Sequence, residues 1–153
     1  MQRTISVFFA GLALLTLFAV PVSAASDGNK STGLFINLTT DDTWSAAKAI
    51  FFAHEKALKN GHKPVAIWLN VRAVYLADKK RPSHLHGLMR DQNKSIQDML
   101  SAFMKDGGQV IMCGTCSQAA GLTKDDYIDG VQMGNWELVE GLLFDQNIKT
   151  LAW

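Results

Sequence analysis

Cysteine is scarce in this chain: 153 residues contain two, and both fall in one tetrapeptide, Cys113-Gly114-Thr115-Cys116. Two thiols cannot supply the four ligands of a structural zinc site without help from histidine. Haem attachment requires a histidine directly after the second cysteine, and Ser117 stands there instead. A glycine-rich phosphate loop, a Gly-x-Ser-x-Gly elbow and a zinc-protease helix are all missing, which excludes the commonest nucleotide and hydrolase chemistries. Charge excess is missing too, with 15 basic against 14 acidic residues. That balance removes any electrostatic reason to bind nucleic acid or an anionic membrane. The chain also lacks internal repeats, low-complexity segments and, beyond its first residues, any apolar run long enough to cross a bilayer.

The one long apolar run is N-terminal. Arg3 supplies a positive charge, Ile5 to Val20 is almost wholly apolar, and Pro21-Val22-Ser23-Ala24 ends in the small residues a signal peptidase requires. Residues 1–24 therefore read as a secretory signal cleaved after Ala24, which places the mature protein in the periplasm or outside the cell, with no membrane attachment after cleavage. At 16 residues the run falls short of the roughly 18 to 20 that a spanning helix needs, and an uncleaved anchor is the alternative. Cleavage leaves 129 residues with 14 charges of each sign, enough for one domain and too few for two. Residues 25–33 are polar and read as a flexible lead, and residues 34–153 as a single α/β domain.

Within that domain the apolar period alternates between strand and helix. Leu34 to Leu38 is a strand followed by the capping candidates Thr39-Thr40-Asp41-Asp42. Trp44, Ala47, Phe51, His54 and Leu58 recur at helical spacing up to Gly61, a glycine stop. Val65 to Leu69 is a second strand opened by Pro64. Asn70 to Asp91 reads as a surface excursion with a short helix near Val71 to Leu76. Ile96, Met99, Leu100 and Phe103 form a helix ended by Gly107-Gly108, before a strand from Gln109 to Met112. A short helix from Ser117 to Ala120, a strand at Val131 to Met133, a helix from Trp136 to Phe144 and a strand near Ile148 to Leu151 complete the order. Five strands alternating with helices predict a three-layer sandwich with a mostly parallel sheet.

The chemistry concentrates at the cysteines. Cys113 follows the apolar run Val110-Ile111-Met112, so it stands at the carboxyl end of a strand, the edge where open α/β sheets build their sites. A helix beginning just after it would favour the thiolate, with the backbone N–H groups of Gly114, Thr115, Cys116 and Ser117 available to an anion. Cys113 is then the attacking sulfur and Cys116 the resolving one. A static Cys113–Cys116 disulfide is the structural alternative, although so small a loop constrains the unfolded chain little. Copper or zinc on the two thiolates with His84, His86, Met89 and Met112 is a third reading, poorly spaced for it.

Other residues carry less. His54 reads as a satisfied core-edge histidine and His62 as support for a helix C-terminus. Asp125, Asp126 and Asp129 read as caps and turns rather than calcium ligands. Trp44, Trp68 and Trp136 are expected to face the core. No cofactor is called for.

The order of a strand running into Asn37-Leu38-Thr39-Thr40-Asp41, a long helix, the apolar strand into Cys113-Gly114, the element Ala119-Ala120-Gly121-Leu122, the turn Tyr127-Ile128-Asp129-Gly130-Val131 and a closing helix and strand resembles the DsrE/DsrF-like family. The resemblance covers Leu34 to Trp153 and implies a compact α/β fold, a homotrimer or homohexamer, and a sulfur-relay role. It matches Cys113 to the relay cysteine that carries a persulfide. The partners it implies are a thiol or persulfide protein or a small sulfur donor. A non-enzymatic oligomeric binding module with locked cysteines is the alternative, because a fold does not dictate a function.

Overall fold

Strand order in the sheet decides where the cysteines stand. The computed structural model describes residues 32–83, 90 and 92–153. The expected signal sequence, most of the lead, and His84, His86 and Met89 lie outside the described residues. Strands β1 (Gly33–Leu38), β2 (Val65–Leu69), β3 (Gln109–Cys113), β4 (Gln132–Gly134) and β5 (Ile148–Ala152) form one sheet in the order β4-β3-β2-β1-β5. Every pairing is parallel, so the mostly parallel sheet expected from the alternation is in fact wholly so. Parallel strands are covered on both faces, which is why β1, β2 and β3 are nearly unbroken apolar runs.

Alternation along each strand divides the core in two. Leu34, Ile36, Leu38, Val65, Ile67, Leu69, Val110 and Met112 line the larger half. Phe35, Ala66, Ile111 and Ile148 line the smaller one, with Val139 and Leu142 packed on them. The larger face carries helix α1 (Thr43–Phe51), the 3-10 segment Val71–Ala77, α2 (Ile96–Lys105) and α3 (Gly114–Ala119). The smaller face carries α4 (Trp136–Leu143).

Local chemistry sets the helix limits. Asp42 caps α1 by accepting the Ser45 N–H at 2.8 Å. The helix continues as a π-type turn over Phe52–Ala57 and a 3-10 turn over Leu58–Asn60, and Gly61 ends it at φ +87°, where a glycine carries no steric penalty. A reciprocal Ser95–Asp98 capping box starts α2, and Asn135 caps α4. His54 is buried, with Nε2 at 2.7 Å from an Asp106 carboxylate oxygen, so it joins α1 to the end of α2 as a satisfied core-edge residue.

Three expectations change. Trp44 and Trp136 are 65% and 63% exposed rather than core-facing. The buried positions of the first helix are instead small: Ala46, Ala47, Ala49, Ala53 and Ala57, with Ile50 and Leu58. These side chains let the helix lie close on the sheet, and the phase they impose turns Trp44 outward. The stretch after β2 is no surface excursion at its start, because Ala73, Val74, Leu76 and Ala77 are buried where the chain crosses the larger face. Helix α3 begins at Gly114, before the expected Ser117, because Cys113 itself serves as its cap. His62 closes the first helix through its backbone N–H on the Ala57 carbonyl, while its ring Nδ1 lies 2.9 Å from the Thr32 carbonyl at the entry to β1.

Gly134 ends β4 against the backbone of β3. A Cβ there would stand 2.8 Å from both Ile111 Cγ2 and the Met112 carbonyl oxygen. Gly134→Ala is expected to lower stability by about 1–3 kcal/mol, the usual cost of overpacking. Urea unfolding measures it, and an unchanged midpoint would mean that β4 is not held against β3.

Candidate functional site

A parallel sheet brings the carboxyl ends of all its strands to one edge. Here that edge gathers Asn37 near the end of β1, Asn70 just past β2, Cys113 at the end of β3 and Gly134 at the end of β4. Cys113 leaves the strand in an extended conformation and caps α3, its Sγ accepting the Cys116 N–H at 3.2 Å. The sulfur occupies the place a serine or aspartate oxygen takes in an ordinary N-cap.

Cys116 is held from the other direction. Its Sγ–H donates to Asn70 Oδ1 at 3.1 Å, and Asn70 Nδ2 donates to Asn37 Oδ1 at 3.3 Å. The Val71 N–H is shared between Asn70 Oδ1 at 2.8 Å and Cys116 Sγ at 3.2 Å. Val71 reaches this geometry at φ +50°, a left-handed conformation that strains a β-branched residue by about 1–3 kcal/mol. The strain directs a backbone donor at the second sulfur, so each cysteine sulfur has a backbone N–H pointed at it.

The Ser117 side chain has a role of its own, apart from the backbone N–H expected to meet an anion. It is 1% exposed, and its hydroxyl donates to the Cys113 carbonyl at 2.8 Å while accepting from the Tyr127 hydroxyl at 2.7 Å. The hydroxyl positions the first turn of α3. The acidic turn is likewise structural at Asp126, which accepts from the Thr123 N–H and hydroxyl and pairs with Lys80 Nζ at 2.7 Å. Lys80 and these bonds hold the Asp126 carboxyl well below the usual range.

Electrostatics corrects the expected activation of Cys113. Burial, followed by the Cys116 side chain, pushes its thiol upward, and the N–H groups of Cys116 and Thr115 offset this only in part. A six-residue helix cannot outweigh removal of the sulfur from water. The resulting thiolate is scarcer at neutral pH than that of an ordinary cysteine but intrinsically more nucleophilic. Tyr127 is also pushed upward by burial, so its phenol keeps its proton as donor to Ser117.

Cys113 and Cys116 are both free thiols of intermediate exposure. Cys113 opens into a cleft of about 340 Å³ walled by Trp68, Thr115, Gly134, Asn135, Trp136 and Val139. Cys116 is not part of that wall and rests on Asn70 instead. Met112, one of the alternative metal ligands, is fully buried in the larger core. Among the described residues no group of three or more His, Cys, Asp or Glu side chains is placed to hold a metal ion. Asn37, Asn70, Val71, Trp68 and Trp136 complete the site and were missed as site residues; polar side chains closing apolar strand runs were the available signal for the two asparagines.

The DsrE/DsrF-like family model matches residues 32–146. An uncharacterized protein of Methanopyrus kandleri is 32% identical over 77 residues, which are 50% of this chain. The chain spans 57% of the length of that curated relative. The crystal structure of the YchN protein from E. coli shares the fold with a TM-score of 0.63 at 20% identity, covering 80% of this chain and 99% of that one. The structure of MTH1491, a protein of unknown function from Methanobacterium thermoautotrophicum, aligns with a TM-score of 0.52 at 13% identity, covering 79% and 98%.

Alkylation by iodoacetamide, followed by peptide mass mapping across pH, reports the Cys113 thiolate directly. The expected half-rate pH lies above that of an ordinary cysteine, about 8.5, and falls in Cys116→Ala, where the neighbour that helps to raise it is withdrawn. A midpoint near neutrality in the unaltered protein would mean that the helix N-terminus governs the sulfur after all.

Proposed function

The chain belongs to the DsrE/DsrF-like family, and from that premise we propose that it is an exported sulfur carrier holding a persulfide on Cys113, in a sulfur-relay-like role. The observation that carries the reading is the unequal placing of two free thiols three residues apart: Cys113 opens into the cleft, and Cys116 waits behind it on Asn70.

In the loading step the Cys113 thiolate attacks the outer sulfur of a donor R–S–SH. A Cys113 S–S bond forms, the donor S–S bond breaks, and R–S⁻ leaves with its electron pair. Delivery reverses the step: an acceptor thiolate attacks the outer sulfur, takes it as a new persulfide and returns Cys113 as thiolate. Where no acceptor arrives, the Cys116 thiolate attacks Cys113 Sγ and expels HS⁻, leaving a disulfide that an external thiol reductant reopens. The N–H groups of Cys116 and Val71 partner the two sulfurs in the resting protein and are in position to stabilise their anions.

The proposed compartment is the periplasm or the extracellular space, reached through cleavage after Ala24, and the proposed assembly is a homotrimer or homohexamer that meets a thiol or persulfide partner. Protein recovered from the expressing cell is expected to begin at Ala25; an intact N-terminus would remove the export part of the proposal.

Incubating the reduced protein with a sulfane-sulfur donor and weighing it intact tests the carrier itself. The expected gain is about 32 Da per added sulfur, reversed by reductant, retained in Cys116→Ser and lost in Cys113→Ser. A Cys113→Ser protein that still loads defeats the mechanism. A pair found permanently oxidised and resistant to mild reductant would favour the non-enzymatic binding module.

A further inference from the structure

The cleft over Cys113 has a composition that selects among sulfur donors. Its walls are two indoles, an aliphatic side chain, one threonine, one asparagine and glycine backbone, with no lysine, arginine or histidine among them. Its volume, about 340 Å³, is that of a small organic-ligand site. An inorganic donor such as thiosulfate is a small doubly charged anion, and sites for such ions present fixed cations or forked donors. No lysine, arginine or histidine lines this cleft, so a doubly charged anion would meet only the backbone N–H groups at the start of the six-residue helix α3, and Glu137 stands in the first turn of the adjoining helix α4.

The two indoles are held differently. Trp68 is fixed on β2 by stacking on Phe35, with ring centroids 6.2 Å apart, which makes it a rigid wall. Trp136 opens α4 and is 63% exposed, a large apolar surface that the fold itself leaves uncovered beside the nucleophile. Gly114 and Gly134 leave the approach to the sulfur free of side chains: a Cβ on Gly114 would meet the Gly134 carbonyl oxygen at 3.5 Å.

From this placement we infer that the donor served by Cys113 is an uncharged organic hydropersulfide with an apolar body, seated between Trp68 and Trp136, rather than an inorganic sulfur anion. The inference rests on the carrier reading and adds the substrate class. In the step, Cys113–S⁻ attacks the terminal sulfur of R–S–SH, and R–S⁻ departs while R is still held against the tryptophans. The proton stays on the transferred sulfur, and no oxidant or reductant is consumed. Uncharged donors need no ion pair for recognition, so burial of R supplies the binding free energy.

The test compares loading rates of the full mature protein, followed by intact mass, with benzyl hydropersulfide released from a precursor and with thiosulfate. The benzyl donor is expected to load Cys113 at least about tenfold faster, within the range that an apolar pocket gives for a matched group. Trp136→Ala is expected to cut the benzyl rate by about three- to tenfold, as loss of an aromatic contact does, and so to narrow the ratio of benzyl to thiosulfate rates; Trp136→Phe is expected to retain most of the benzyl rate. Because Trp136 is exposed, its replacement leaves the core intact. Thiosulfate loading as fast as the benzyl donor, or an indifferent Trp136→Ala, overturns the inference with the carrier reading still standing. Failure of both donors to load Cys113 overturns the carrier reading itself.

Discussion

One buried hydroxyl holds the site in register. The Ser117 hydroxyl accepts a hydrogen bond from the Tyr127 hydroxyl and donates one to the Cys113 carbonyl, with both Ser117 and Tyr127 only 1% exposed. Polar groups this deeply buried are costly unless paired, so the chain of three fixes the carbonyl of Cys113, the start of α3 and the loop carrying Tyr127 together. That loop is tied in turn to the crossover after β2, since the Ile128 N–H bonds the Ala77 carbonyl and Asp78 bridges Tyr127. The segment bearing Asn70 and Val71, and hence the environment of Cys116, is therefore anchored to the same hydroxyl that sets Cys113.

This anchoring divides the labour between two chemically identical side chains. Both sulfurs accept a backbone N–H at 3.2 Å, yet one donor comes from the regular first turn of a helix and the other from a valine forced into left-handed geometry. One sulfur faces a cleft and the other a side-chain carboxamide. Asymmetry of this kind cannot arise from the Cys-x-x-Cys spacing alone; it needs the ends of three different strands and the crossover between two of them.

The fold was legible because parallel strands buried on both faces announce themselves as apolar runs, and because glycines and Asp, Asn or Ser caps mark the helix limits. Cys113 and Cys116 were legible because so few cysteines exist and both follow such a run. Helix phase is misleading where size stands in for burial: Trp44 and Trp136 face outward, while alanines pack the first helix and Val139 and Leu142 pack α4. The role of the Ser117 hydroxyl is not legible, because it is turned toward Tyr127, a residue ten positions away whose burial no local pattern reveals. The direction of the Cys113 shift was misjudged for a similar reason, since a helix terminus is visible in sequence and desolvation is not. Asn37 and Asn70 meet across β1 and β2 only after register is set, 33 residues apart in the chain.

The position of β5 bears on how the protein is made. It pairs with β1, the first strand, although it is encoded after every other strand of the sheet, and Thr39 bonds the Trp153 carbonyl through both its N–H and its hydroxyl. Until residues 148–152 dock, β1 itself is an edge and presents an open ladder of the kind that recruits foreign strands; afterwards that edge passes to β5. The interval before docking is when the incompletely folded chain is most exposed to wrong partners. Strand order thus ties the pairing of the first strand to the arrival of the last.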